Sequence, residues 1–379
     1  MEKLMRSDDE NYGLEPEFDD EINDEYEDTE YPYNVDDIRI DQKMISLYQA
    51  VRWIEQGKLI LRPEYQRNFV WDRRKQSLLI ESLILKIPIP AFYFDENLEG
   101  IKTVIDGMQR LTTISRYMND EFKLGKLQYL KDCEGKRFSE LDLKYQARIE
   151  DTQLAVNILD SRCPYLVKFD VFRRINTGGV QLQPQEIRNI VATQETRELL
   201  KHMVERKSFL LATNNTVNDT RMGAQELALR YIVYRCMYDI ENKDFSSFGE
   251  MSMLLDQGII LVNDTTEEVR ERILSDFEES MEKCYALFGD RTFAKPMNRY
   301  IVNRALFVSY SIVMDYCKLD KEVLREKSAE AVELLKFKLS DCKEYFNSIT
   351  SSTSSRRNMY IQMYYAIELM EELFGDWRD

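Results

Sequence analysis

The sequence predicts an α+β domain followed by an all-helical domain, and three observations carry that prediction. Two short β-rich runs, residues 91–94 (AFYF) and 101–105 (IKTVI), are joined by an acidic turn and open directly into a helical pattern across Asp106-Gly107-Met108-Gln109-Arg110. From Pro184 onward the apolar pattern is almost entirely helical. The first 37 residues hold 16 acids and two bases with little aliphatic content, the composition of a chain that does not bury a core of its own. The expected organisation is an acidic disordered tail over 1–38, an α+β domain over 39–190 and a helical domain over 191–379.

Each element follows from local pattern. Residues 41–57 place Met44, Leu47, Val51 and Ile54 at three- and four-residue spacings, which predicts an amphipathic helix ended by Gly57. The run LILRPEYQRNFVW (59–71) reads as extended, because Pro63 turns Arg62 away from helical geometry. Residues 73–86 resume a helix whose apolar positions, from Leu78 to Leu85, cover most of its circumference, so it is expected to be buried. The hairpin comes next, and then Leu111, Ile114 and Met118 at helical spacing. A strand over 152–159 and a helix over 163–176, broken at Gly178-Gly179, close the first domain. Helices are expected over 185–203, 224–238, 266–288, 298–316, 321–339 and 358–374, with the serine-rich 349–357 as an exposed loop before the last.

Composition removes several function classes. The most apolar uncharged stretch, 305–314, has ten residues, two of them serine, whereas a spanning helix needs roughly 20, so no membrane span is expected. The N-terminus lacks an apolar secretion core and is too acidic for organelle import, which gives a cytoplasmic expectation. Six widely spaced cysteines form no CxxC pair and read as free, mostly buried thiols. One histidine, His202, excludes HNH nucleases, zinc hydrolases and Ser-His-Asp hydrolases, each of which needs His as ligand or base; His202 itself reads as a surface or packing residue.

The net charge of −16 belongs to the tail, since the remaining 342 residues carry 52 acids and 50 bases. Within that near-neutral body, residues 52–88 have eight bases against four acids and 162–188 have five against two. Two locally basic segments thus flank the strand-to-helix switch, which points to an anionic ligand. The tail has two readings: a solubilising segment, or a polyanion mimic that screens a basic groove.

A strand that ends at Asp-Gly and opens into a helix presents free N–H groups where the macrodipole also favours an anion, and phosphate fits there. Gly107 lets the backbone turn sharply, Arg110 extends from the first turn as a permanent cation, and Gln109 adds a neutral donor and acceptor. Asp106 is suited to hold a divalent cation or position water, and equally to act as an ordinary N-cap. Two further clusters, PEYQR (63–67) and FRRINTGG (172–179), join arginine to an amide side chain and a turn. Alone, each reads as core aromatics, surface charge and a helix C-cap.

Taken together and in this order, PEYQRNFVW, VIDGMQRLTTI and FRRINTGGVQLQPQEIRN closely resemble the N-terminal domain family of GmrSD-type modification-dependent restriction enzymes, related to ParB and sulfiredoxin, over about residues 44–190. The resemblance implies a ParB/sulfiredoxin-like fold whose DGQQR motif supports nucleotide hydrolysis, usually beside a nuclease module that destroys modified or foreign DNA. It would set Asp106, Gly107, Gln109 and Arg110 at the nucleotide phosphates, with Arg67, Arg174 and Asn176 closing the site. Met108 departs from the usual glutamine: hydrolysis is weakened if that glutamine positions water, whereas Met is an acceptable packing replacement if the position faces inward. The single His leaves no HNH module in the helical half. The chain is therefore expected to be a stand-alone nucleotide-binding, NTP-hydrolysing sensor or regulatory subunit. It would use a nucleoside triphosphate with Mg²⁺ or a similar divalent cation held by Asp106, and Asp106, Gln109 and Arg110 as catalytic residues, acting on DNA with a separate nuclease. The alternative is a non-catalytic ParB-like nucleotide- or DNA-binding switch.

Overall fold

The computed structural model describes residues 14–15, 38–61, 71–175, 183–217, 219, 221–242, 245, 248–295 and 298–378. It is a mixed α+β region followed by a mostly helical one, and the chain divides into two units: 30–182, and 183–379 together with 1–29.

The first unit contains β1 (Ile40–Ser46), α1 (Leu47–Glu55), β2 (Leu59–Ile60), α2 (Arg73–Ile84), β3 (Phe92–Glu96), β4 (Lys102–Asp106), α3 (Met108–Met118), α4 (Leu143–Glu150), β5 (Gln153–Leu159) and α5 (Tyr165–Ile175). Among the described residues its five strands form one mixed sheet in the order β1-β5-β3-β4-β2. β3 and β4 are the expected antiparallel hairpin, with Phe94 opposite Val104 and a register shift between Tyr93 and Phe94. β5 runs parallel to β3 and antiparallel to β1.

One expectation fails at the start of this unit. Residues 41–46 are strand, paired from Ile40↔Leu159 to Ser46↔Gln153, and the helix begins only at Leu47. Helical spacing assigned Met44 to a buried stripe, yet Met44 is 63% exposed. The ladder along β5 satisfies this backbone, and Ser46 accepts the N–H of Gln49 at 3.2 Å to start α1 at Leu47.

The core is continuous. Phe92, Phe94, Val104, Leu154, Val156 and Ile158 from the strands pack with Leu47, Ala50 and Val51 of α1, Leu79, Ile80, Leu83 and Ile84 of α2, and Leu111, Ile114 and Tyr117 of α3. α2 is the buried helix the sequence predicts, and it also carries a buried carboxylate. Glu81 accepts backbone N–H groups from Gln128 (2.9 Å), Tyr129 (2.7 Å) and Leu130 (2.8 Å), so it staples the segment after α3 to α2. Burial pushes its carboxyl pKa up, but these three donors outweigh that and hold it below the usual value.

The second unit contains α6 (Pro184–Val191), α7 (Gln194–Glu205), α8 (Lys207–Ala212), α9 (Gly223–Met237), α10 (Met251–Asn263), α11 (Glu267–Phe288), β6 (Ala294–Lys295), β7 (Asn298–Val302), α12 (Arg304–Tyr316), α13 (Lys321–Glu326), α14 (Ser328–Asp341), α15 (Lys343–Ser348) and α16 (Arg356–Phe374). The apolar stretch 305–314 is its central helix, buried residue after residue and packed against α9, α11 and α16. No helix among the described residues is long and apolar enough to cross a membrane.

Three predicted helices are divided, among them 321–339, which splits at Lys327 into α13 and α14. Residues 185–203 break at Ala192, because Thr193 caps a new helix through the N–H of Thr196. Residues 298–316 begin as strand β7, paired with β6, and Asn303 caps α12 through the N–H of Leu306 at 2.9 Å. α10, with eight of its 13 residues apolar on more than one face, shows little amphipathic pattern and has no counterpart among the predicted helices.

Candidate functional site

Asp106 ends β4 and Gly107 sits in the left-handed region at φ 96°, ψ 8°, as the N-cap of α3. Glycine is required there twice over. Its φ disfavours any side chain, and a Cβ would stand 2.2 Å from Cδ1 of Phe92. Having no side chain, Gly107 offers no capping oxygen, so the first N–H groups of α3 are without a side-chain cap.

Arg110 is held tightly. Its guanidinium donates to Asp106 Oδ2 at 2.9 Å, to the carbonyl of Ala91 at 3.1 Å and to that of Pro90, and lies 4.3 Å from the centroid of the Phe92 ring. Its side chain is 12% exposed and that of Asp106 40%. Burial lowers the arginine's pKa and Asp106 offsets part of that. Arg110 thus fastens the start of β3 to the first turn of α3, a positioning role visible in the geometry. Roughly twenty positions separate it from Pro90 and Ala91, so these carbonyls and the Phe92 ring were not legible from spacing.

The other two residues of the motif divide between core and site. Met108 is buried and belongs to the apolar core, the inward-facing case in which methionine replaces glutamine by packing. Gln109 carries a buried Oε1 that, among the described residues, has no hydrogen-bond partner. The orphaned atom is an acceptor, so whatever completes it brings a donor: a water or a ribose hydroxyl. With the amide turned over, its NH₂ would instead face a phosphate oxygen.

Asp106, Gly107, Gln109 and Arg110 are therefore brought together at one junction. Arg174 is exposed in the last turn of α5, beside Arg173, which pairs with Asp170 at 3.6 Å. Arg67 and Asn176 lie outside the described residues, as do PEYQR and the Gly178-Gly179 break.

The second basic segment, 162–188, offers less free charge than its composition suggests. Lys168 is buried against Asp95 at 2.5 Å, Arg188 is buried against Asp256 at 2.8 Å, and Arg162 is paired with Asp160. In the first, Arg52, Lys58, Arg73, Arg74, Lys75 and Lys86 are exposed, while Arg62 and Arg67 are outside the described residues.

Among the described residues no group of three or more His, Cys, Asp or Glu forms a metal cage. His202 is exposed on α7, and four of the six free cysteines are buried. A Mg²⁺-type ion often takes one or two carboxylates plus phosphate oxygens and water, a donor set that Asp106 with a bound nucleotide would satisfy.

Neither a curated protein nor a solved structure matches this chain. Residues 47–191 match the family described as GmrSD restriction endonuclease, N-terminal domain, from α1 through the Asp106–Arg110 junction to the end of α6. The segment 47–191 is thus similar to the GmrSD restriction endonuclease N-terminal domain, a family whose description suggests an association with DNA restriction.

Proposed function

We propose that the α+β unit binds and hydrolyses a nucleoside triphosphate, and that the chain is the sensor or regulatory subunit of a modification-dependent restriction or phage-defence system, acting on DNA with a separate nuclease. The observation that carries this reading is the β4–α3 junction: a helix N-terminus without a side-chain cap behind a left-handed glycine, with the orphaned Gln109 amide and Asp106 at its edge. The backbone N–H groups of α3 would take phosphate oxygens. Gln109 would turn its NH₂ to a phosphate oxygen of the nucleotide, and Asp106 would hold a divalent cation. Arg110, fixed by Pro90, Ala91 and Asp106, would keep the turn in shape and set its positive field beside the phosphates. A bound cation would supply charge neutralisation at the phosphoryl oxygens. Arg67, Arg174 and Asn176 complete the proposed nucleotide-binding set by family resemblance.

Calorimetry with a nucleoside triphosphate, with and without Mg²⁺, tests the assignment alongside a phosphate-release assay. A hydrogen bond to a charged group contributes ~1.5–3 kcal/mol, so Gln109→Ala should weaken binding about ten- to 150-fold. Equal affinities of wild type and Gln109→Ala would place the ligand elsewhere. The second reading, a non-catalytic ParB-like nucleotide- or DNA-binding switch, is favoured by the commitment of Asp106 to Arg110. Binding without metal-dependent phosphate release would select it.

A further inference from the structure

The acidic N-terminal segment has one described point, Leu14–Glu15, and that point is bound. Leu14 is 4% exposed and forms a parallel bridge to Val302, the last residue of β7, and the N–H of Glu15 donates to the Val302 carbonyl at 2.9 Å. Lys295 Nζ lies 2.6 Å from Glu15 Oε1, Asn303 Nδ2 donates to Oε2 at 2.5 Å, and Arg304 donates to the Glu15 carbonyl. Its amide, its carbonyl and both carboxylate oxygens are therefore all met by the helical unit.

The groups that meet it are built in. Asn303 is 3% exposed and Arg304 7%. Lys295 also donates to Thr350 Oγ1 at 3.1 Å. Asn303 Nδ2 donates to the Ile349 carbonyl at 2.8 Å while its Oδ1 caps α12, and Arg304 faces Glu226 at 3.5 Å. A surface contact of chance would use mobile, exposed side chains; here a strand end, a helix cap and two largely buried cations converge on a single glutamate. Backbone pairing to a strand edge, with a buried apolar side chain and a charge-matched one, is the way extended peptides are recognised.

We infer that Val302, Lys295, Asn303 and Arg304 form a docking site for an extended acidic peptide with leucine followed by glutamate, and that the chain's own Leu14–Glu15 occupies it in cis. The acidic segment is thereby anchored on the helical unit at one point. Releasing it exposes a pocket that takes the same chemistry from another molecule.

The test uses a labelled peptide of residues 10–19 (ENYGLEPEFD), titrated by fluorescence anisotropy into three full-length chains. In wild type the tethered segment competes at high effective concentration. A chain carrying Leu14→Asp and Glu15→Lys should thus bind the peptide at least tenfold tighter, and adding Lys295→Glu should abolish the gain. A peptide with Glu15→Gln should bind the opened chain about tenfold more weakly. Equal peptide affinity for wild-type and opened chains, or indifference to Lys295→Glu, would overturn the site. Should the opened chain fail to fold, amide exchange on wild type decides. Glu15 N–H protected well beyond its intrinsic rate supports the docking, and exchange at the intrinsic rate overturns it.

Discussion

Two Arg–Asp pairs of nearly equal length, one in each unit, show how burial assigns the same chemistry to different work. In the α+β unit Arg110 and Asp106 meet at 2.9 Å with the carboxylate 40% exposed. In the helical unit Arg188 and Asp256 meet at 2.8 Å with both side chains at 3% exposure or less. The second pair sits among other buried ion pairs, Glu186 with Arg221 at 2.9 Å and Glu226 between Arg230 and Arg304. Burial pushes the Glu226 carboxyl pKa up, and Arg230, Arg304 and Arg188 more than reverse this, holding it below the usual value. A sealed pair fixes packing, because neither partner tolerates solitude in a low-dielectric interior. A half-open pair beside a helix N-terminus that has no side-chain cap keeps one carboxylate within reach of a ligand.

The largest effect should come from breaking the sealed pair. Arg188→Ala removes the arginine from the buried Asp256 carboxylate and should lower unfolding free energy by about 3–5 kcal/mol in a denaturant titration. Replacing both partners, Arg188→Met with Asp256→Leu, should recover much of it. If Arg188→Ala costs no more than an exposed pair, the contrast between the two sites collapses.

Gly107→Ala comes next. The left-handed backbone costs about 1–2 kcal/mol for a side chain, and the overlap with Phe92 adds roughly 1–3 kcal/mol of overpacking. Thermal denaturation should show the sum, and Phe92→Ala added to Gly107→Ala should lower the cost of introducing the alanine.

Glu81→Gln should cost about 1–3 kcal/mol at neutral pH, since an amide oxygen accepts the three N–H groups less strongly and its NH₂ faces donors. The pH dependence sharpens this. The folded-state pKa of Glu81 lies below the usual 4.5, so its contribution is full above that value and fades as pH falls through the lower, folded pKa. Stability curves of wild type and Glu81→Gln should therefore converge in acid; parallel curves would remove Glu81 from the acid-sensitive set.

The smallest effect on stability is expected at the open pair. Asp106→Asn should change unfolding free energy by only ~0.2–1 kcal/mol, the range of exposed pairs. Its effect on metal-dependent phosphate release should be far greater. A stability loss comparable to that of Arg188→Ala would make Asp106 a structural residue and nothing more.

Much of the α+β unit was legible because its signals are local. Aromatic and β-branched runs around an Asn-Leu-Glu-Gly turn gave the hairpin, and Asp-Gly before Leu111 and Ile114 gave the strand-to-helix switch. The chain-adjacent residues of the candidate site, Asp106 to Arg110, were legible as one junction for the same reason. Helical spacing misassigned 41–46 and 298–302, where pairing with β5 and β6 decides the outcome.

By itself the sequence determined what neighbouring residues impose on one another. It set the order of most elements, the glycine at the strand-to-helix turn, the absence of a histidine pair, and the three ordered motifs that resemble a GmrSD N-terminal domain over about residues 44–190. Only the tertiary structure decided which charges are spent inside. It turned Met108 into the core, gave Arg110 to Pro90 and Ala91, locked Arg188 onto Asp256, and seated Glu15 on Lys295 and Asn303. The reason is physical. A charged side chain is indifferent to its sequence neighbours when solvated, but once packing removes water it must be paired, and the partner that packing brings can lie anywhere in the chain.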